Sequence, residues 1–259
     1  MNANARVYVE IKGKFAHLFF DQPAARNAMT QEMYEQLRSI CLELNQNSQI
    51  RAVILRGIGG KSFVSGSDIA QFTTFKDGED GVRYEKLIDH YLGPLQQLSM
   101  PSIAVIDGLA VGGGLAIASL CDFRIAMPTA KFGVPIARTL GNTLSPSNIA
   151  WLVAHLGVAI VKRMLLLAEL IPASELHTQG FVYKIGEQEQ LEQMALDLAE
   201  QLSALAPVTQ KASKQIMARV IHHSLPDCSD LIREVYGSSD FKDGVRSFLA
   251  GEPAQWKGK

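Results

Sequence analysis

Apolar residues alternate with polar ones, or cluster, over residues 7–11 and again over 15–20, and the polar Lys12-Gly13-Lys14 between them predicts a hairpin turn. The period then changes. Met33, Leu37, Ile40 and Leu44 recur at helical spacing behind Thr30, a hydroxyl suited to an N-cap, until Asn45-Gln46-Asn47 breaks the pattern. Residues 52–55 predict a buried strand, followed by a glycine-rich loop and a second helix starting near Asp68. Residues 102–106 repeat this arrangement and lead through Gly112, Gly113 and Gly114 into the small-residue run 115–120.

Residues 123–126 and 182–185 predict further short strands, separated by an apolar helical stretch over 149–167. Beyond Leu191 the pattern is helical. Met194, Leu198, Leu202 and Leu205 mark one amphipathic helix, Pro207 starts the next, and a third runs over 228–236. Strands alternate with helices first and helices alone finish the chain, which predicts an α/β core with a helical C-terminal region suited to packing on a partner subunit.

At 259 residues, 47% hydrophobic and 20% charged, the chain is long enough for one large domain or a core with an appended helical segment. Twenty-five basic against twenty-six acidic side chains supply no field for a nucleic-acid backbone or an anionic membrane, though a local basic cluster for one small anion stays open. Cys41, Cys121 and Cys228 are odd in number and far apart, which argues against a disulfide framework or paired metal ligands and for a reducing cytoplasm. Residues 1–10 hold no long apolar run, and the charge-free stretch around the glycines is too short and too rich in Gly and Ala to span a bilayer. Neither export nor membrane insertion is expected.

The candidate chemistry centres on Gly112 to Gly114. Three glycines at a strand-to-helix junction suit a close approach to the main chain or unusual dihedrals. The helix start leaves N–H donors that can stabilise a developing negative oxygen, helped by the helix dipole. The competing reading is a tight packing turn. Gly60-Lys61-Ser62 resembles the end of a phosphate loop, but the earlier glycine it requires would fall at Leu55, and Gly112 to Gly114 lacks dinucleotide-fingerprint spacing. Six histidines, His17, His90, His155, His177, His222 and His223, show no helix-spaced metal pair, and no Gly-x-Ser-x-Gly elbow is present. No metal site is expected.

Two turns carry the most information: Phe63-Val64-Ser65-Gly66-Ser67-Asp68-Ile69 and Ile106-Asp107-Gly108-Leu109-Ala110-Val111-Gly112-Gly113-Gly114-Leu115. With Pro23-Ala24-Ala25-Arg26-Asn27-Ala28, Cys121-Asp122, Phe132-Gly133-Val134-Pro135, Gly180-Phe181-Val182 and the 248–257 tail, they make the chain resemble the enoyl-CoA hydratase/isomerase, or crotonase, superfamily over essentially its whole length. The resemblance implies an α/β fold, a crotonase-like spiral of repeated β-β-α units over residues 1–200, binding acyl-CoA. Residues 201–259 would form a helical region for oligomerisation into a homotrimer or homohexamer and for covering the coenzyme. Coenzyme A would be part of the thioester substrate, with no separate cofactor. By the same resemblance the backbone N–H groups of Ser67 and Gly113 hold the thioester oxygen. Ala25, Arg26, Ala28, Ser65, Gly66, Asp68, Ile69, Leu109, Gly112 and Pro135 would contact substrate, Arg26 near the coenzyme phosphates, with Lys257 reaching a neighbouring nucleotide. Asp68 also reads as a helix cap.

The chain departs from the hydratase pattern at both acids. Ala116 stands where the first glutamate is expected, and the second position falls at Ile136 counting from Pro135 or at Ala137 counting back from Gly141. Adding water to a double bond needs a base and an acid. Polar groups of residues 138–143, a carboxylate from 77–89, or His90 are the alternatives. The resulting reading is an acyl-CoA enzyme working through an enolate. A decarboxylase, hydrolase or isomerase of the same superfamily and a catalytically silent acyl-CoA-binding subunit stand beside it.

Overall fold

Strands β1 (Arg6–Lys12) and β2 (Phe15–Asp21) pair antiparallel around Gly13, whose φ of +61° suits a residue without a side chain. The computed structural model describes residues 5–258, so the first four residues of the segment read for an export signal lie outside it. Helix α1 (Gln31–Gln46) begins where expected: Thr30 Oγ1 accepts from the N–H of Met33 at 3.2 Å, and Met33, Tyr34, Leu37, Cys41 and Leu44 are buried at helical spacing.

The chain then winds as a spiral. One turn comprises β3 (Ala52–Gly57), β4 (Ser62–Val64) and α2 (Gly78–Gln96). The next comprises β5 (Ser102–Ile106), β6 (Leu109–Val111) and α3 (Gly113–Leu120). A third contains β7 (Phe123–Ala126), β8 (Lys131–Gly133), the short α4 (Ile136–Thr139) and α5 (Pro146–Leu166). After β9 (Ile171–Pro172), α6 (Ala173–Thr178) and β10 (Lys184–Ile185), four helices follow: α7 (Gln188–Ser203), α8 (Pro207–Ile221), α9 (Ser229–Gly237) and α10 (Ser239–Ala250).

First strands of each turn join a six-stranded sheet in the order β1-β2-β3-β5-β7-β10, parallel beyond the hairpin; second strands join a four-stranded sheet, β4-β6-β8-β9. In the first winding the second strand shrinks to one bridge, Met29 with Ser67. The large sheet is covered on both faces, as its near-continuous apolar strands require. Ile54, Ile103, Val105 and Ile125 pack on Leu191, Ala195 and Leu198 of α7, while Val53, Leu55, Ala104 and Ile106 join the main core.

Several expectations shift. The helix expected near Asp68 starts at Gly78, capped by Asp77; Asp68 instead caps a six-residue 3-10 stretch, Ile69–Thr74. The residue pattern does not locate strands β4, β6 and β8, three residues each, or α10, although the resemblance to repeated β-β-α units implies a second strand in each unit. Helix α5 is long and apolar enough to cross a membrane by length and composition, yet Gly157 breaks it with φ 73° and ψ 155°, and Trp151, Leu152, Leu156, Ile160, Val161 and Met164 are buried. Ile232, Tyr236, Phe241 and Val245 of α9 and α10 pack on Phe72, Val82 and Leu140 of the same chain. On α8, Val208, Ile216, Met217 and Val220 are exposed.

Candidate active site

Two turns that leave the small sheet meet at one point. After β4, Gly66 takes a φ of +117°, its carbonyl accepts from the N–H of Met29 at 2.8 Å, and Asp68 N–H returns a 2.8 Å bond to Met29 C=O. Ser67 lies between these bonds. After β6, Gly112 adopts φ 55° and ψ −120°, a conformation closed to residues with a β carbon, and donates its N–H to Gly133 C=O at 2.9 Å. Gly113 then opens α3. A β carbon at Gly113 would stand 3.7 Å from Ser67 N and 2.4 Å from the Tyr34 hydroxyl, while one at Gly114 would strike Val64 C=O at 1.9 Å. The three glycines therefore answer three demands: a dihedral, an open approach to Ser67, and helix-to-strand packing.

Among the described residues neither Ser67 N–H nor Gly113 N–H meets an internal acceptor. Both line a cavity of about 540 Å³. The positive end of α3 points the same way, and its opposite end is closed by Arg124, whose buried guanidinium donates to the carbonyls of Ala118, Cys121, Asp122 and Phe181 at 2.6–3.0 Å. Ser67 Oγ lies 2.9 Å from the hydroxyl of Tyr34 and 2.7 Å from that of Tyr84. Two links use two of the three hydroxyl protons, which leaves one O–H for a further acceptor. Burial pushes Tyr34 up to about 12 and Tyr84 well above its ordinary value, so both stay phenols.

Ala25, Arg26, Ala28, Ser65, Gly66, Asp68 and Ile69 line the same cavity, as do Leu109, Gly112 and Pro135. Arg26 is exposed in a turn where it and Asn27 have positive φ. Asn27 holds this turn: its Oδ1 accepts from Gln22 N–H at 2.9 Å and its Nδ2 donates to the carbonyls of Ile58 and Ser62. Lys257 is not among the lining residues; its Nζ pairs with Asp243 at 2.6 Å. The end of α10 contributes Phe248 and Leu249 to the lining instead.

Ala116 and Ile136 face the cavity, whereas Ala137 is exposed and does not line it. From residues 138–143, Thr139, Leu140 and Asn142 line it; the Thr139 hydroxyl is spent on Pro135 C=O. Within the acidic segment, Asp77 caps α2, Glu79 pairs with Arg233, Asp80 pairs with Arg83, and His90 is exposed. Of that segment's acids only Glu85 lines the cavity; Asp89 is half-buried against Ser145 Oγ. Glu85 is 3% exposed; its Oε1 accepts from Tyr236 O–H at 2.6 Å and its Oε2 from Ser145 N–H at 2.7 Å. Burial raises its carboxyl to about 8, against the lowering effect of those two donors. A sequence signal for it existed: Glu85 occupies an apolar stripe position of α2, in register with Val82, Ile88, Leu92 and Leu95.

A family model described as Enoyl-CoA hydratase/isomerase matches residues 10–259. The chain is similar to a short-chain-enoyl-CoA hydratase of Clostridium acetobutylicum, 32% identical over 247 residues and covering 94% of each protein. It is also similar to an (E)-benzylidenesuccinyl-CoA hydratase of Thauera aromatica, 30% identical over 229 residues, covering 85% of this chain and 84% of that protein. Among solved structures, a methylmalonyl-CoA decarboxylase in complex with 2-nitronate-propionyl-CoA matches with a TM-score of 0.89 at 25% identity, with 98% of both chains covered.

Proposed function

The chain belongs to the enoyl-CoA hydratase/isomerase family, and on that footing we propose that it binds a coenzyme A thioester with the thioester oxygen between Ser67 N–H and Gly113 N–H. The reaction then runs at the acyl α or β carbon through an enolate. The observation that carries this reading is the meeting of two unbonded amides, from separate turns, at one cavity. Fixed donors aimed at a developing oxyanion need no rearrangement as charge builds, and one such donor contributes about 3–4 kcal/mol of barrier lowering.

Arg26 at the mouth suits the coenzyme phosphates, and the lining from Ser65 to Ile69 suits the pantetheine arm. Coenzyme A enters as part of the substrate, with no further cofactor. The apolar residues that α8 leaves exposed support assembly of the C-terminal helical region into a homotrimer or homohexamer, and the protein is read as cytoplasmic. Because Ala116 and Ile136 are apolar where they face the cavity, the usual two-glutamate hydration is not the reaction favoured here. Isomerisation or decarboxylation, which pass through the same enolate, fit better.

Titration calorimetry with butyryl-CoA, crotonyl-CoA and methylmalonyl-CoA, coupled to product detection, tests the proposal. Saturable binding with turnover of one thioester supports it. Binding without any turnover would support the second reading, a silent acyl-CoA-binding subunit, which Ala116 and Ile136 motivate. No binding would overturn both.

A further inference from the structure

We propose that Glu85 is the group that exchanges a proton with the acyl α carbon, standing in for the acids absent at Ala116 and Ile136. The inference rests on the thioester reading above. Two carboxylates line the cavity, Asp68 and Glu85. Asp68 is partly exposed and its Oδ1 caps the 3-10 stretch through Ala70 N–H, whereas Glu85 is buried. It reaches the cavity from α2, in the wall that also carries Tyr84 and Ile88.

Its surroundings are those of a proton carrier. Among the described residues no lysine or arginine pairs with it; its partners are Tyr236 O–H and Ser145 N–H, both neutral donors. A carboxyl buried without a cation costs the fold free energy that an apolar residue at the same stripe position would not. A purely structural tie between α2, Ser145 and α9 would also be served by a side chain that does not titrate. Burial lifts the carboxyl into the neutral range, where both protonation states are accessible.

The step balances without a co-reactant. Glu85 carboxylate takes the α proton; the C–H electron pair becomes the carbon–carbon double bond of the enolate, whose oxygen lies on the Ser67 and Gly113 amides. The proton on Glu85 then returns to the α carbon, or to the γ carbon of a β,γ-unsaturated chain. Tyr236 O–H and Ser145 N–H hold the carboxylate while it is charged. The other titratable groups facing Glu85 are Tyr34 on α1, Tyr84 and Asp89 on α2, and Tyr236 on α9. The phenols ionise far above neutrality, and Asp89, which accepts from Ser145 Oγ at 2.8 Å, is also raised by burial.

The test follows but-3-enoyl-CoA in deuterated buffer by proton NMR across a pH series, with calorimetric binding in parallel. Wild type is expected to exchange the α protons along a limb that rises with pH. Glu85→Gln should slow exchange about 10²- to 10⁴-fold while still binding the thioester. Tyr236→Phe removes a donor to the charged form, so its limb should move to higher pH; a structural role alone would not move it, and this variant decides the matter if Glu85→Gln does not fold. Exchange by Glu85→Gln at the wild-type rate, an unmoved limb in Tyr236→Phe, or wild type that binds but never exchanges would each overturn the assignment. Wild type that binds no thioester would instead remove the reading beneath it, and Glu85's role with it.

Discussion

The hydroxyl of Tyr34 lies 2.9 Å from that of Ser67, and the same oxygen occupies the space that any side chain at position 113 would need. Three elements, α1, the turn after β4 and the start of α3, thus fix one another's positions at the point where the two free amides converge.

Gly113→Ala tests that arrangement. Its methyl would come within 2.4 Å of Tyr34 Oη, pushing either the phenol or the amide off line, and thioester turnover should fall about 10²- to 10³-fold. Adding Tyr34→Phe removes the obstructing oxygen, so the double variant should recover part of the loss. Steady-state kcat/KM values on the four members of the cycle check this; strictly additive losses would refute a shared steric cause.

Gly114→Ala should act on folding instead. Its β carbon would meet a backbone carbonyl, Val64 C=O, at 1.9 Å, and a strand in the core cannot yield as a side chain can. A loss of about 3 kcal/mol or more is expected in urea unfolding, and a loss within experimental error would contradict the packing described here.

Glu85 should also be visible in stability. Its carboxyl keeps its proton in the fold up to about 8 and loses it in the unfolded chain near 4.5. Between those values the folded chain binds more protons, so stability falls as pH rises through that window; the contribution is fully present below it and gone above it. The size is on the order of a few kcal/mol. Asp89, raised as well, adds to the slope with the same sign. Thermal midpoints measured across this range should decline more steeply for wild type than for Glu85→Gln, and equal slopes would count against a buried titrating acid.

Arg124→Met would leave the carbonyls of Ala118, Cys121, Asp122 and Phe181 without their donor. Each buried acceptor left unpaired costs about 1–3 kcal/mol, so the variant should be severely destabilised in denaturant titrations. Lysine, with three donors and no fork, should recover only part of the loss.

How much of this was legible beforehand depended on what each residue answers to. Strands β2, β3 and β5 and helix α1 carry clear apolar runs, and Thr30 and Pro207 mark element starts by local chemistry, so they could be read in place; Asp68 signals a cap correctly, but of a short 3-10 stretch and not of the helix expected there. Strands β6 and β8 are three residues long and exist through pairing with neighbours distant in sequence, which no local period records. In the site, the glycines were readable because backbone shape dictates residue type there. Glu85 was one acid in a charged stretch until α2 turned it inward, and the choice between Ile136 and Ala137 waited on the rotation of α4. Lys257, by contrast, sits in an ion pair that nothing local to it announces.

The buried guanidinium behind α3 separates two kinds of electrostatics in one molecule. Arg124 is buried away from mobile ions and the amides at the other end of that helix lie half-buried in the cavity wall, whereas Arg26 stands in solvent, where a Debye length of about 10 Å at 0.1 M salt governs attraction. If the proposed thioester binds as described, raising ionic strength should weaken capture of its phosphorylated end more than the charge stabilisation at its carbonyl. The molecule would hold its chemistry constant while the medium adjusts how readily it fills.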